Sequence, residues 1–475
     1  MRSTIKIVIL LFFICISMSG ASFPDMEKYM RQHALIWEQL PMQWNEGAFL
    51  GNGLVGMMVY ADSTLNALVF HLGRPDVTDH RKAPYRKTSI GTEEADKMVD
   101  FCRLDVGKML LFPEGKILSG TFYLDIYNAE LTGHLKTDKG DLTFHAYTPQ
   151  PEEVNIVEVS SGVPYRWKGI PGNPCSPRIR VFPHLKEKLK YKDNPAPVVN
   201  QKDKEGSWVQ SLLAGGDYAT YWKEVPGGKS RSVLYVSTAN EVPASSLSLA
   251  KAMKTVEATQ ITGTKLLKQK TRQWWNAYHE RSFLSIPDKK LENFYFIQMY
   301  KLATCSHPDG PAMDVMGTFF KLSPWPSFWW NLNIQLTYMP IGPANRMEQG
   351  KNFQRLMDEV FPSLVRSIEP CKIGDYTWAL QNYYMYLRYA GADWQDIKQQ
   401  VVPKALDAFA VFDKILCYKE NTWHLTHIES PEYEGFQKYN DSNYGLASLS
   451  WLLQTLIACH DRTSSTHPDY ARWKE

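Results

Sequence analysis

The sequence predicts a mixed β + α chain: an N-terminal antiparallel β-sandwich, a helical linker, and a C-terminal helical domain. Two textures carry that reading. From about Gly53 to Asn240, short runs alternate apolar and polar residues between Gly, Asp, Asn and Pro breaks, the period-two signature of antiparallel strands. After Ala244 the apolar residues recur three and four apart, the signature of helices. At 475 residues, 44% hydrophobic and 22% charged, the chain is long enough for several domains and apolar enough to bury a core.

The elements follow in order. Met1–Gly20 has a basic start (Arg2, Lys6), an apolar run Ile7–Ile16 and then Ser19-Gly20-Ala21. That is the layout of a secretory signal over residues 1–21, and it predicts a secreted or periplasmic protein. No later stretch approaches ~20 apolar residues, so no membrane span is expected. Strands are expected at Leu65–Leu72, Ile117–Ile126, Asp141–Tyr147, Val154–Val159, Trp208–Leu213 and Ser232–Val236. A sandwich over residues 22–244 closes them most economically. Ser161–Gly206, rich in Pro, Lys and Asp, reads as a long surface excursion.

Ser246–Thr259 and Gly263–Arg281 read as linker helices within 245–287. Residues 288–475 then give helical patterns at Lys290–Cys305, Trp329–Met339, Arg346–Val360, Thr377–Ala390, Asp393–Phe412 and Tyr444–His460. Two of the intervening loops, Ser306–Pro324 and Tyr418–Asn443, are unusually long, and functional residues concentrate on such loops.

Composition excludes some functions. Fifty-three Lys and Arg against 50 Asp and Glu leave a net charge of +3 with no long basic run, unlike the concentrated basic face of a nucleic-acid binder. No C-x-x-C pair, H-E-x-x-H or zinc-finger spacing occurs, so neither a metal nor an organic cofactor is expected. Beyond Cys15, the cysteines Cys102, Cys175, Cys305, Cys371, Cys417 and Cys459 are too widely spaced to select a pairing. Fifteen Trp suit the flat faces of sugars, and equally suit the filling of large cores.

Four segments carry candidate chemistry. Gly51-Asn-Gly53-Leu-Val-Gly56 fits a dinucleotide fingerprint, but Met57-Met58-Val59-Tyr60 continues it as a strand rather than a phosphate-binding helix. Tight-turn glycines explain it better. In Trp329-Trp330-Asn331-Leu332-Asn333-Ile334-Gln335, three amides sit in an aromatic wall; they either grip hydroxyls or cap a helix and satisfy buried backbone. His424-Leu-Thr-His427-Ile-Glu429-Ser430-Pro431-Glu432-Tyr433-Glu434 clusters three carboxylates. One of these is a general acid if desolvated; alternatively Ser430-Pro431-Glu432 opens a helix. His424 and His427 read as loop or strand partners rather than metal ligands, and Asp441 as a helix cap. Finally, His71-Leu-Gly-Arg74-Pro-Asp76-Val-Thr-Asp79-His80-Arg81 is either an arm reaching over a pocket or an ion-pair loop of little energetic value.

Taken in order, Leu50-Gly51-Asn52-Gly53…Gly56-Met-Met-Val-Tyr60, Trp329-Trp-Asn-Leu-Asn-Ile-Gln-Leu-Thr-Tyr338 and Ser430-Pro-Glu432 resemble glycoside hydrolase family 95, the inverting α-L-fucosidase group, and its six-hairpin relatives. The resemblance covers most of the chain and is patchy through Gly162–Gly216. It implies that the C-terminal helices form an (α/α)6 toroid. It also implies that Asn331 and Asn333 position the attacking water and that Glu432 protonates the leaving oxygen. Trp329, Trp330, Gln335, Trp378, Gln381, Arg74, Asp76 and His80 are the positions expected at the substrate.

In that family a distal aspartate polarises the asparagine, because an amide alone is a poor base. Here the stretch from Asp288 onward is too short for twelve helices of ~12 residues with ordinary loops. The toroid is therefore expected to be incomplete, the chain truncated, and the activating aspartate missing, with Asp441 its only nearby substitute. Exposed apolar helix faces are expected where further hairpins would dock. The implied function is removal of a terminal sugar such as L-fucose or L-galactose from an oligosaccharide or glycan by inversion. The alternatives are a glycan-binding protein without turnover, or another six-hairpin glycosidase or phosphorylase.

Overall fold

The computed structural model describes residues 25–81, 99, 101–242, 247–430, 434 and 437–475. The leader-like segment 1–21 and Glu432 lie outside the described residues. A short helix α1 (Met26–Arg31) precedes β1 (Leu35–Trp37), β2 (Ala48–Gly51), β3 (Gly56–Asp62), β4 (Ala67–Gly73) and β5 (Lys108–Pro113). There follow β6 (Ile117–Asp125), β7 (Glu130–Thr137), β8 (Gly140–Tyr147), β9 (Asn155–Ser161) and β10 (Tyr165–Ile170). Two short helices, α2 (Pro177–Val181) and α3 (Leu185–Lys188), lead to β11 (Val198–Gln201), β12 (Glu205–Ser211), β13 (Asp217–Gly228) and β14 (Arg231–Glu241).

These strands form two antiparallel sheets, ordered β1-β6-β7-β8-β9-β14-β13-β12-β11 and β10-β5-β4-β3-β2. Apolar positions on facing strands meet in one core: the Phe70 ring on β4 stands edge-on to Phe144 of β8 at 5.5 Å and lies 5.4 Å from Trp167 of β10. The alternation in the sequence is thus spent on a sandwich interior. Ser161–Gly206 is more than a surface excursion. It supplies β10 and β11, and Ile179, Leu185 and Tyr191, which form a small buried cluster with Val99.

Helices α4 (Ser248–Thr262) and α5 (Thr264–His279) follow. The first packs on β13 and β14. The second sends Arg272 to Glu130 of β7 with a two-pronged contact of 2.5 and 2.7 Å, and Tyr278 Oη to the Met299 carbonyl at 2.6 Å. The helical region comprises α6 (Lys289–Cys305), α7 (Asn333–Tyr338), α8 (Lys351–Glu359), α9 (Phe361–Val365), α10 (Ile373–Tyr389), α11 (Trp394–Gln400) and α12 (Val402–Phe412). It continues through the hairpins β15 (Leu416–Lys419)–β16 (Thr422–Leu425) and β17 (Ile428–Glu429)–β18 (Lys438–Tyr439) to α13 (Asn443–Thr463) and α14 (Tyr470–Lys474).

Three boundaries differ from the sequence reading. The helix expected from Trp329 starts only at Asn333, because Leu332 takes a left-handed φ of 59°. The run Asp393–Phe412 is broken between α11 and α12, where Pro403 stands in the first turn of the second helix. And α10 begins four residues before Thr377.

Along α6, α7 and α10 the apolar side chains of Leu291, Phe294, Leu336, Met339, Met385 and Tyr389 are 43–60% exposed. A groove of about 490 Å³ lined by Phe409, Leu416, Trp423, Leu449, Leu453 and Ile457 runs beside α13. Among the described residues no helix is long and apolar enough to cross a membrane, and Cys102, Cys175, Cys305, Cys371, Cys417 and Cys459 are free thiols.

Candidate active site

The glycine pattern at Gly51–Gly56 has a packing cause. The β2–β3 turn lies against the end of α6: Gly53 N–H donates to the Thr304 carbonyl at 3.0 Å. A Cβ on Gly53 (φ 82°) would lie 2.3 Å from the Ser306 carbonyl carbon, so no other residue fits. Buried Asn52 donates to the carbonyls of Pro149 (2.7 Å) and Glu152 (2.8 Å) and accepts from Leu54 and Val55 (both 3.0 Å). The motif docks the sandwich on the segment that enters the site.

That segment, from Ser306 to Leu332, carries almost no regular structure and is held from outside. Arg103, wholly buried, donates to the Gly317 carbonyl (2.6 Å) and to Asp314 (3.2 Å), while its backbone N–H donates to the Pro326 carbonyl (2.7 Å). Arg178 donates to the Pro324 carbonyl at 2.5 Å with its guanidinium over the Trp325 ring. Thr78 bridges Arg103 on the other side. The loop His71–Arg81 therefore braces the segment through Arg103.

Within that loop the ion-pair reading is the one realised, in buried form. The Arg74 guanidinium is spent on both oxygens of Asp76 (2.7 and 2.9 Å), on Glu153 and on the Thr238 carbonyl (2.6 Å). Its surroundings hold it well above the ordinary arginine range: burial opposes the charge, but Asp76 and Glu153 outweigh it. His80 Nδ1 lies 3.2 Å from the Thr78 carbonyl. Arg74 and Asp76 thus hold each other instead of presenting a free fork to a ligand.

The segment delivers Trp329–Asn333. Trp330 is fully buried, its indole stacked on Tyr376 at 5.2 Å. Gln335, also fully buried, donates its amide to the carbonyls of Trp330 and Asp375, the latter at 2.9 Å. Both were expected at the substrate; burial removes them from it and makes them supports. Between them Asn331 O accepts the Asn333 N–H at 2.6 Å around Leu332 (φ 59°, ψ −51°). That is a γ-turn of the rare positive-φ kind, strained for a branched residue and found where surroundings over-determine it. The turn splays the two asparagines: Asn331 points inward and is buried, whereas Asn333 is exposed at the start of α7. Trp329 is buried edge-on against Trp325.

Asn331 meets a residue that sequence reasoning missed. Its Nδ2 donates to Asp375 Oδ1 at 3.0 Å, and Tyr444 Oη donates to the same oxygen at 2.5 Å. The Asp375 carboxyl is pushed up to about 7, by burial first and by the charge of Glu429, against the pull of Tyr444, Asn331 and Lys372. Gly374 precedes it, and a glycine amid polar residues reads as a break. The sequence-based helix starts at Thr377, which left Asp375 in a loop.

Glu429, on β17, lies beside the turn Pro370–Lys372 that opens α10. The chain leaves β17 at Ser430 and returns at Gln437, where Ser430 N–H donates to the Gln437 carbonyl at 3.1 Å; Glu432 belongs to the undescribed stretch between them. Glu434 accepts from Tyr439 Oη at 2.6 Å. His424 Nδ1 pairs with Asp441 at 2.7 Å, and Asp441 also accepts the Leu425 N–H at 2.8 Å. Those bonds, His424 foremost, hold the Asp441 carboxyl below its ordinary value. Asp441 ties the hairpin to α13, whose N-cap is the neighbouring Ser442; it is Asp375 that bonds Asn331. Trp378 and Gln381, one and two turns along α10 from Asp375, line a cavity of about 270 Å³ with Tyr338, Asn382 and Tyr389. Among the described residues no group of three or more His, Cys, Asp or Glu side chains is placed to hold a metal ion.

No protein-family model matches the chain, and no curated protein matches it either. Solved structures do. One assigned as a kojibiose phosphorylase from the human microbiome superposes with a TM-score of 0.59 at 11% identity, over 93% of this chain and 69% of that one. A bacterial glucoamylase complexed with acarbose superposes with a TM-score of 0.51 at 10% identity, over 93% and 68%. At such identities the likeness is one of fold. It spans both the strand-rich and the helical regions.

Proposed function

We propose that the chain is an exported glycosidase that removes a terminal sugar, α-L-fucose or a similar one, from glycans with inversion. The hydrogen bond from Asn331 to Asp375 carries this reading. An amide whose N–H is given to a carboxylate has a more electron-rich carbonyl, so Asn331 Oδ1 becomes a competent acceptor for the proton of an attacking water. As Oδ1 takes that proton, Nδ2–H passes to Asp375. Glu432 gives its own proton to the departing glycosidic oxygen, which completes the two-group logic of inversion. Asn333 is the solvent-side amide beyond the turn, and Trp378 and Gln381 are the substrate contacts in this reading.

Asp375 takes the role that the resemblance gives to a polarising aspartate. Ser430, two positions before Glu432 in the sequence, follows the strand whose Glu429 acts on Asp375. A fold shared with a kojibiose phosphorylase keeps phosphorolysis as the second reading. Against it stand Asp375 and Glu429, whose negative charge disfavours a phosphate nucleophile and not a neutral water.

The test is hydrolysis of an aryl α-L-fucoside and related aryl glycosides, with and without inorganic phosphate. Phosphate-independent release that is lost in Glu432→Gln supports the proposal. Release of a sugar phosphate would establish the second reading, and hydrolysis untouched in Glu432→Gln would remove the acid assignment.

A further inference from the structure

We propose that Tyr444 is a positioning residue of this site: its hydroxyl fixes the Asp375 carboxylate toward Asn331 and holds it ionised. The inference rests on the reading that Asp375 acts on water through Asn331, and it concerns a residue that touches neither water nor sugar.

Geometry carries it. Tyr444 Oη and Asn331 Nδ2 converge on one oxygen, Asp375 Oδ1. A carboxylate that accepts two donors at one oxygen cannot rotate away, or take a proton on that oxygen, without giving up at least one of them. Two glycines, one on each partner, make the contact possible. A Cβ on Gly374, the residue before Asp375, would lie 2.4 Å from Tyr444 Cε1, so the phenol ring lies flush against the first turn of α10. On the other side, a Cβ on Gly445 would lie 2.7 Å from both Ile428 Cδ1 and Leu425 Cδ2, so the start of α13 is pressed onto β16 and β17. The Gly445 N–H is capped by Ser442 Oγ at 3.2 Å. Tyr444 thus ties three pieces together: the asparagine turn, the head of α10, and the strands β16 and β17.

Of the groups facing Asp375, Tyr444 comes from α13, Asn331 from the γ-turn, Glu429 from β17 and Lys372 from the turn before α10. Burial, and then the neighbouring Asp375 charge, keeps the Tyr444 phenol well above its ordinary range, so it stays a donor across the working pH. With Glu429 pushing the Asp375 proton on and burial doing the same, Tyr444 is the strongest opposing contact.

Tyr444→Phe keeps the ring in its slot and deletes only the donor. The expected result is a shift of the acid limb of the kcat/KM profile to higher pH by about one unit, a roughly tenfold loss near pH 6 that is largely recovered near pH 9, with KM little changed. A residue that merely packs would lower thermal stability and leave the limb in place; that outcome overturns the proposal. A second measurement does not depend on turnover. The carboxyl of Asp375, followed by ¹³C labelling and assigned with Asp375→Asn, is expected to titrate higher in Tyr444→Phe than in the unmodified chain. If no glycoside is hydrolysed but this titration moves, the enzymatic reading falls and the coupling stands; if hydrolysis occurs and neither titration nor limb moves, Tyr444 has no such role.

Discussion

At the scale of single residues the site turns on one carboxyl in an unfavourable place. Asp375 is buried beside another acid, and its affinity for a proton is raised to about 7. A base that must be ionised to work loses function as pH falls through that value, so kcat/KM is expected to drop below about pH 7 with a single-proton slope. Asp375→Asn is expected to lower kcat/KM on the order of 10²–10³-fold, the range of a lost general base; rates on an activated aryl glycoside check this.

The same residue predicts a stability effect of opposite sign. A carboxyl raised from its unfolded value near 3.9 binds more protons folded than unfolded. Its contribution is therefore most favourable below about pH 4 and is lost as pH rises toward 7. Asp375→Asn is expected to raise the stability of the fold by about 2 kcal/mol near pH 8 and to change it little near pH 4. Denaturant unfolding at both pH values measures it; equal effects at the two would show that the carboxyl is not the source. Gain of stability with loss of activity is the mark of a functional group held against its own preference.

At the scale of elements, the site is assembled by close approaches that only glycine allows. Gly73, at the end of β4, faces the segment 306–332: a Cβ there would sit 2.0 Å from the Thr318 carbonyl oxygen. Backbone cannot yield as a side-chain tip can, so Gly73→Ala is expected to cost about 2–3 kcal/mol and to reduce activity with it. Thermal melts and rates on the same preparations test whether the two losses travel together. The γ-turn at Leu332 belongs at this scale too. Trp330 packed on Tyr376 and Gln335 bonded to two carbonyls hold it from both ends, which is why two side chains expected at the sugar are spent inside.

At the scale of the whole molecule, buried contacts join the sandwich and the helices across the irregular segment. Arg103 is the clearest link, a buried cation from the sandwich side bonded to Gly317 and Asp314. Arg103→Met leaves Asp314 without that partner and is expected to cost about 3–5 kcal/mol. It is also expected to weaken turnover although Arg103 is no part of the chemistry; kcat/KM measured well below the melting temperature separates the two effects. At the amino end His33 Nδ1 meets Asn293 Oδ1 of α6 at 2.5 Å, and its ring stacks on Phe296. The union of the two regions thus does not rest on one contact.

Much of the architecture was legible in the sequence because it depends on period. Alternation with period two between Gly and Pro breaks dictated antiparallel strands, and spacing of three and four dictated helices, since each pattern can bury its apolar side in only one geometry. Asn331 and its place beside aromatics were legible as well, and so was the reading of Gly51–Gly56 as a tight turn rather than a phosphate site; that the turn docks on α6 was not. What tertiary structure alone decided is who meets whom. Asp375 lies 44 positions from Asn331 and Tyr444 lies 69 from Asp375, and no local pattern encodes such a pairing. It exists because Gly374 lets a ring lie against a helix and because a strained turn aims one amide inward. Whether Arg74, Trp330 and Gln335 face a ligand or the interior was likewise settled by burial, a property of the folded whole that residue type and spacing do not contain.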